Sequence, residues 1–207
     1  MDLSKHWNAE NPDLRKGERT QLRILAASYK CIVKLGYYRT TFQTIADEAG
    51  VSQPLVVKIF KARENIFTTT AQAVLQAALL ETEHRLEAQN PRSLKSALRC
   101  YFDVSIDMIN KTPDLGRFYL NLHYLAAYEQ PIREMNAAIR SNAVLRIEGL
   151  LSSYGQTRMS KKSRTALASS LHDLIVGHIF QSISLAKKAD KVRVAFLLDK
   201  LLLEMKH

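Results

Sequence analysis

Between Thr41 and Arg63, polar side chains recur at spacings suited to gripping a polyanion. Thr41 and Ser52 each stand just ahead of a short segment of helical periodicity. At such an N-cap, exposed backbone N–H groups and the positive helix end suit a phosphate. Gln43 and Gln53 follow close behind, and a glutamine amide carries the paired donor and acceptor that match an adenine edge in the major groove. Lys58, Lys61 and Arg63 add cations, which hold phosphates and set register rather than read sequence. The chemistry implied is hydrogen bonding and charge neutralisation on duplex DNA.

Those side chains need a scaffold, and the intervening apolar residues describe one. Phe42, Ile45, Ala46 and Ala49 form the inner stripe of one short helix, with Ala46 small enough for a second helix to cross close by. Gly50 permits a tight turn because glycine tolerates positive φ. Val51 plugs the angle between the helices, and Val56 and Phe60 face inward from the second. The pattern is that of a helix-turn-helix, although an ordinary helical corner shares its glycine and caps.

The rest of the chain is helical in period almost throughout, with little glycine or proline and almost no strand-like alternation. An earlier helix carries Ile24, Ala27, Cys31, Ile32 and Leu35 on one face and stops at Gly36. Longer helices follow from Glu64, with breaks at Asn90-Pro91, Pro113, Pro131, the polar 155–162 loop and Asp190. The expected fold is all-α with about nine helices: an N-terminal three-helix helix-turn-helix domain at 19–66 and a helical ligand-binding and dimerisation domain at 67–207. Residues 1–18, with Lys5, Arg15 and Lys16, read as a polar arm reaching a minor groove or as a frayed end. Trp7 in this lead is the only tryptophan.

Composition narrows the function. With 46% hydrophobic and 24% charged residues over 207 positions, the chain is neither disordered nor membrane-spanning. The polar N-terminus lacks the apolar core of a signal peptide, so a cytoplasmic protein is expected. A net charge of +10 suits a polyanionic partner, yet the basic excess is shared between residues 1–65 and the remainder and so locates no face. Cys31 and Cys100 read as buried free thiols. His6, His84, His123, His172, His178 and His207 contain no i, i+4 metal pair. No phosphate-binding glycine loop or nucleophile arrangement is present, so neither enzyme, metal nor cofactor is expected.

The run Ile24-Leu25-Ala26-Ala27, Gly36-Tyr37, Thr40-Thr41, Ile45-Ala46, Ala49-Gly50-Val51-Ser52, Phe60 and Arg63-Glu64-Asn65-Ile66-Phe67 resembles the N-terminal signature of the TetR family. The resemblance implies that Thr41 touches phosphate, that Gln43 reads a base, and that Ser52, Gln53 and Pro54 open the recognition helix. It also implies that Lys58 contacts the DNA backbone and that Arg63 grips phosphate. Val57 departs from the family, whose usual tyrosine there bonds a phosphate. Leu55 replaces a smaller or polar residue and is expected to meet a thymine methyl.

Beyond residue 67 no motif appears. Leu167, Leu171, Leu174, Ile175, Ile179 and Ile183, with Gly177 allowing close approach, stripe one late helix. Val194, Leu197, Leu198, Leu201 and Leu202 stripe the last. Such stripes bury within their own domain, whereas the resemblance implies a four-helix interface with a second copy, making a homodimer. The resemblance likewise implies an effector pocket, for which Tyr101, Phe102, Met108, Phe118, Tyr119, His123 and Tyr124 are the candidates, with a small apolar ligand as partner. Aromatics at helical spacing serve equally as core. The basic groups Arg158, Lys161, Lys162, Arg164 and Lys187, Lys188, Lys191, Arg193 read as solvated charge, or as a surface for a further partner. The function expected is a DNA-binding repressor released by an effector; the alternative is a DNA-binding regulator or architectural protein without one.

Overall fold

The computed structural model describes residues 12–154 and 159–204, with the last two by backbone only. Among these residues there are nine helices and no strand: α1 (Lys16–Leu35), α2 (Phe42–Ala49), α3 (Gln53–Phe60), α4 (Arg63–Gln89), α5 (Leu94–Lys111), α6 (Pro113–Ala126), α7 (Gln130–Ser153), α8 (Lys161–Ser184) and α9 (Lys191–Glu204). The boundaries follow local chemistry. Thr41 caps α2 by accepting from the Thr44 backbone N–H, while the Thr41 N–H donates to the Thr44 hydroxyl. Ser93 and Ser96 repeat that exchange at α5. Pro113 opens α6, where a missing N–H costs nothing.

Helix α1 begins earlier than its apolar face predicts. The Arg15 N–H donates to the Glu18 carboxylate at 2.7 Å, and the Arg19 guanidinium donates to the carbonyls of Leu14 and Pro12 at 2.9 Å each. Arg15 and Lys16 therefore sit at a helix start rather than on an extended arm. Lys5, His6 and Trp7 lie outside the described residues, as do Arg158 and His207.

The chain divides into two compact units. One comprises the residues up to Leu79 with Arg117–Met135; the other comprises Leu80–Gly116 and the chain from Asn136 onward. Helices α4, α6 and α7 contribute residues to both.

In the first unit, Ile24, Leu25, Ala27, Cys31, Ile45, Ala46, Val56, Phe60 and Ile66 form one buried cluster, flanked by Phe42, Ala49 and Val51. Thr70 donates to Ser28 at 3.1 Å, satisfying two buried hydroxyls that join α1 to α4. Phe67 stacks on Phe118 and Tyr29 tilts against it, at 5.5 and 5.3 Å.

In the second unit, a larger cluster runs from Leu94, Leu98, Phe102 and Ile106 through Val144, Ile147 and Leu151 to α8 and α9. Polar groups fasten its periphery. Asn110 exchanges two hydrogen bonds with the Ala189 backbone, at 2.9 and 2.8 Å. Asp107 pairs with Arg85 at 3.2 Å and with Lys191 at 2.7 Å, so Lys191 is not merely solvated loop charge. Lys187, Lys188 and Arg193 are exposed, as are Lys161 and Lys162; Arg164 is half-buried.

This cluster corrects the expected dimer stripe. Leu171, Ile175, Val194 and Leu198 are buried inside their own unit, and Leu167, Ile179 and Leu202 pack against the same core. The stripes are wide enough to serve two surfaces, and intrachain packing takes the inner half. Among the described residues nothing lies within 4 Å of where a β-carbon on Gly177 would sit, so no close approach is seen there; Gly116 does allow one, with Ile183 Cδ1 at 2.8 Å.

The thiols of Cys31 and Cys100 are free and buried, and burial pushes both up in pKa, with Glu48 and Asp103 respectively adding to the effect. They behave as small apolar groups.

Candidate nucleic-acid interface

Two glycines bracket the first part of the site. Gly36 ends α1 at φ 78°, ψ 163°, a backbone region open essentially to glycine alone. Gly50 ends α2 at φ 63°, ψ 42°, and its N–H reaches back to the carbonyls of Ala46 and Asp47. The Val51 N–H also bonds Ala46 O, at 3.0 Å, and Ser52 then caps α3.

Within α3, Val56 and Phe60 are buried one turn apart and fix its rotation about its axis. The opposite side is open: Ser52, Gln53, Pro54, Val57 and Lys58 are exposed, whereas Leu55 is half-buried. Thr41 spends its hydroxyl on its own cap, but Ser52 makes no side-chain cap bond and keeps its hydroxyl for another partner. Gln43 is exposed, with its amide N–H donating to Asp47 at 2.6 Å; its carbonyl oxygen and second N–H remain.

The cations divide into two kinds. Lys58 and Lys61 are exposed. Lys61 turns the chain out of α3 at φ 62°, ψ −43°, with Ala62 N–H donating to Phe60 O at 2.7 Å. That tight turn is strained for a residue with a side chain. Arg63 is half-buried, its guanidinium 4.4 Å from the Tyr37 ring centroid and 3.4 Å from the Tyr38 carbonyl it donates to. It braces the α1–α2 turn, and its remaining guanidinium N–H groups are left for other acceptors. Tyr37 itself is buried; its hydroxyl donates to Glu64 at 3.3 Å, and burial, then the Glu64 carboxylate, raise its pKa.

Sequence reasoning passed over Arg39. It is exposed two residues before the α2 cap, and its only signal is a cation beside Thr40-Thr41. Thr40 is buried and bonded to Gly36 O at 2.8 Å, which holds this turn in place.

The effector candidates fall into both units: Tyr101, Phe102 and Met108 in the second, and Phe118, Tyr119, His123 and Tyr124 in the first. Phe102, Met108 and Phe118 are buried, and Phe102 and Phe118 pack as core. Tyr101, Tyr119 and His123 are half-buried. Tyr124 is 56% exposed, in a surface row with Tyr38 and Tyr128 at centroid distances of 6.5 and 5.1 Å. Among the described residues, no group of His, Cys, Asp or Glu could hold a metal, and no helix is long and apolar enough to cross a membrane.

Comparison with known proteins agrees with this geometry. Solved structures share the fold: a transcriptional regulator from Rhodococcus sp. Rha1 (13% identity, 89% of this chain and 96% of that one, TM-score 0.75) and a TetR transcription regulator from Haloarcula marismortui (16%, 87% and 95%, 0.75). A regulator from Saccharomonospora viridis solved with choline is also similar (17%, 88% and 94%, 0.73). Among curated proteins, none matches by sequence. Residues 24–69, the segment that builds the two glycine turns and the exposed face of α3, match the family described as bacterial regulatory proteins, tetR family. The N-terminal segment is thus that of tetR-family bacterial regulatory proteins, and the chain as a whole shares the fold of solved transcriptional regulators.

Proposed function

We propose that the protein is a repressor that binds a pseudo-palindromic operator as a two-fold dimer and is released by a small effector. The observation that carries this reading is the exposed face of Gln53, Pro54 and Lys58 on a helix whose rotation Val56 and Phe60 fix. Gln53 and Gln43 read base edges, Ser52, Lys58 and Lys61 hold phosphates, and Thr41 presents the α2 N-terminus to the backbone. Leu55, half-buried, contributes at most the edge of its side chain. The protein acts where the chromosome is accessible, in the cytoplasm.

A second copy would cover the apolar residues that α8 and α9 leave outside their own core. Leu174 and Leu197 are half-buried, Leu201 is exposed, and Val192 and Phe196 are 77% and 59% exposed. Two-fold pairing there would set two recognition helices about one DNA turn apart.

Release would be a population shift: an effector that favours a conformation with misplaced recognition helices lowers operator affinity by its differential binding energy. Helix α4 supports this, because one unbroken helix of 27 residues starts beside the DNA-facing turn and ends in the second unit. Choline in the Saccharomonospora viridis relative is of the size such an effector would have. The packing of Phe102 and Phe118 as core favours the second reading, a regulator that answers to no small molecule.

Selection of bound duplexes from a random pool tests the proposal. The expected result is a palindromic consensus with half-sites about 10 base pairs apart, centre to centre. An asymmetric consensus overturns the two-fold reading, and no enrichment overturns sequence-specific binding.

A further inference from the structure

We propose that Val57 is a specificity residue that reads a thymine methyl group in each operator half-site. This rests on α3 being the groove-reading helix. Of its eight side chains, Val56 and Phe60 are buried, and only Gln53 and Lys58 can hydrogen-bond or carry charge. The rest of its accessible surface is apolar: Pro54, Val57 at 39% exposure and Ile59 at 36%. The major groove offers one apolar group to match it, the C5 methyl of thymine.

Position singles out Val57 among the three. It follows Gln53 by four residues, so hydrogen-bonding amide and methyl pair share one flank of the helix. Ile59 lies on the other flank, more than half a turn around. Leu55, the residue expected from sequence to meet a thymine, is the more buried side chain. Four residues advance an α-helix by about 6 Å, close to two base-pair steps of about 3.4 Å. The thymine read by Val57 therefore falls within about two base pairs of the adenine read by Gln53.

The chemistry gives discrimination in both directions. Valine has no polar side-chain atom, so it cannot reward a phosphate or a polar base edge. Against cytosine N4 or guanine O6 it would strip water and return no hydrogen bond, which is unfavourable. Against a thymine methyl it removes two apolar surfaces from water. Its β-branched side chain is nearly fixed in χ1, so little freedom is lost on contact.

The test uses the full-length protein and a duplex taken from the random-pool selection. Each thymine is replaced in turn by deoxyuridine, which lacks only the C5 methyl, and binding is followed by fluorescence anisotropy at constant salt. One replacement, within about two base pairs of the selected adenine, is expected to weaken binding about fourfold, the equivalent of one buried methyl group. Val57→Ser and Val57→Asn, which carry no methyl group, are expected to bind the thymine and deoxyuridine duplexes alike. The site is exposed, so both variants keep the fold, and matching circular dichroism melts check this. A consensus with no methyl-sensitive thymine, or sensitivity that survives both variants, overturns the assignment while leaving DNA reading by α3 intact. Absence of any selected sequence overturns the assignment together with the function it rests on.

Discussion

The helix-turn-helix around Gly50 and the α8–α9 pair both carry apolar residues at helical spacing, but they use them differently. In the first, each apolar residue serves a single surface. Ile45, Ala46, Val56 and Phe60 are interior, Phe42 and Ala49 pack against them, and Gln43, Asp47, Glu48, Gln53 and Lys58 face outward. In the second, a single broad stripe is shared between an inner surface that fills the domain core and an outer one that stays half-buried or exposed. A small domain with few large residues leaves little choice about which go inside. Two long helices with surplus leucine and isoleucine leave that choice to packing.

The contrast breaks most visibly at the inner surface. Phe102→Ala should cost about 3–5 kcal/mol, as for a buried aromatic truncated in a close-packed core, read from urea midpoints by circular dichroism. A cost below about 1 kcal/mol would show that the second unit is loosely packed. Phe196→Ser probes the outer surface. It should weaken self-association by about thirtyfold, corresponding to the ~2 kcal/mol of an aromatic hot spot, and leave the fold unchanged. Sedimentation at graded concentration measures it; an unmoved monomer–dimer equilibrium would place the interface elsewhere.

A third substitution separates the two glycines. Gly36→Asn should destabilise the protein by about 1–2 kcal/mol, because its backbone region excludes side chains. Gly50→Asn should cost much less, since asparagine adopts the left-handed helical region. Thermal melts of the pair decide the point, and equal losses would contradict it. The fourth effect is the smallest. His178 Nε2 accepts the Asp190 N–H at 2.9 Å, and burial first, then Arg193, lower its pKa below 6.5, outweighing the Asp190 carboxylate. The unfolded chain therefore takes up the proton first, so stability present above about pH 6.5 is lost as pH falls from there toward the lowered folded value. His178→Gln keeps an acceptor without titrating and should flatten the wild-type melting profile over that window. His172, also lowered chiefly by burial, contributes with the same sign in both proteins, so their difference isolates His178.

The helix-turn-helix segment was readable because its signals are local. Caps, a glycine turn and a buried i, i+4 pair each depend on residues within one or two turns. Val57 was visible as an oddity, but its exposure beside a half-buried Leu55 was not. Arg63 shows the same limit: its placement against Tyr37 and the Tyr38 carbonyl, some 25 residues away in sequence, could not be read from its charge.

The amino-acid order alone settled the helical class, the turn at Gly50 and the face of α3 that looks outward. These follow from periodicity and backbone sterics, which act over a few residues. Which leucines of α8 and α9 fill the interior, and whether an aromatic at helical spacing fills a core or stands on the surface, was decided only when distant segments packed. Burial is a property of neighbours in space, and a broad apolar stripe is compatible with more than one set of them.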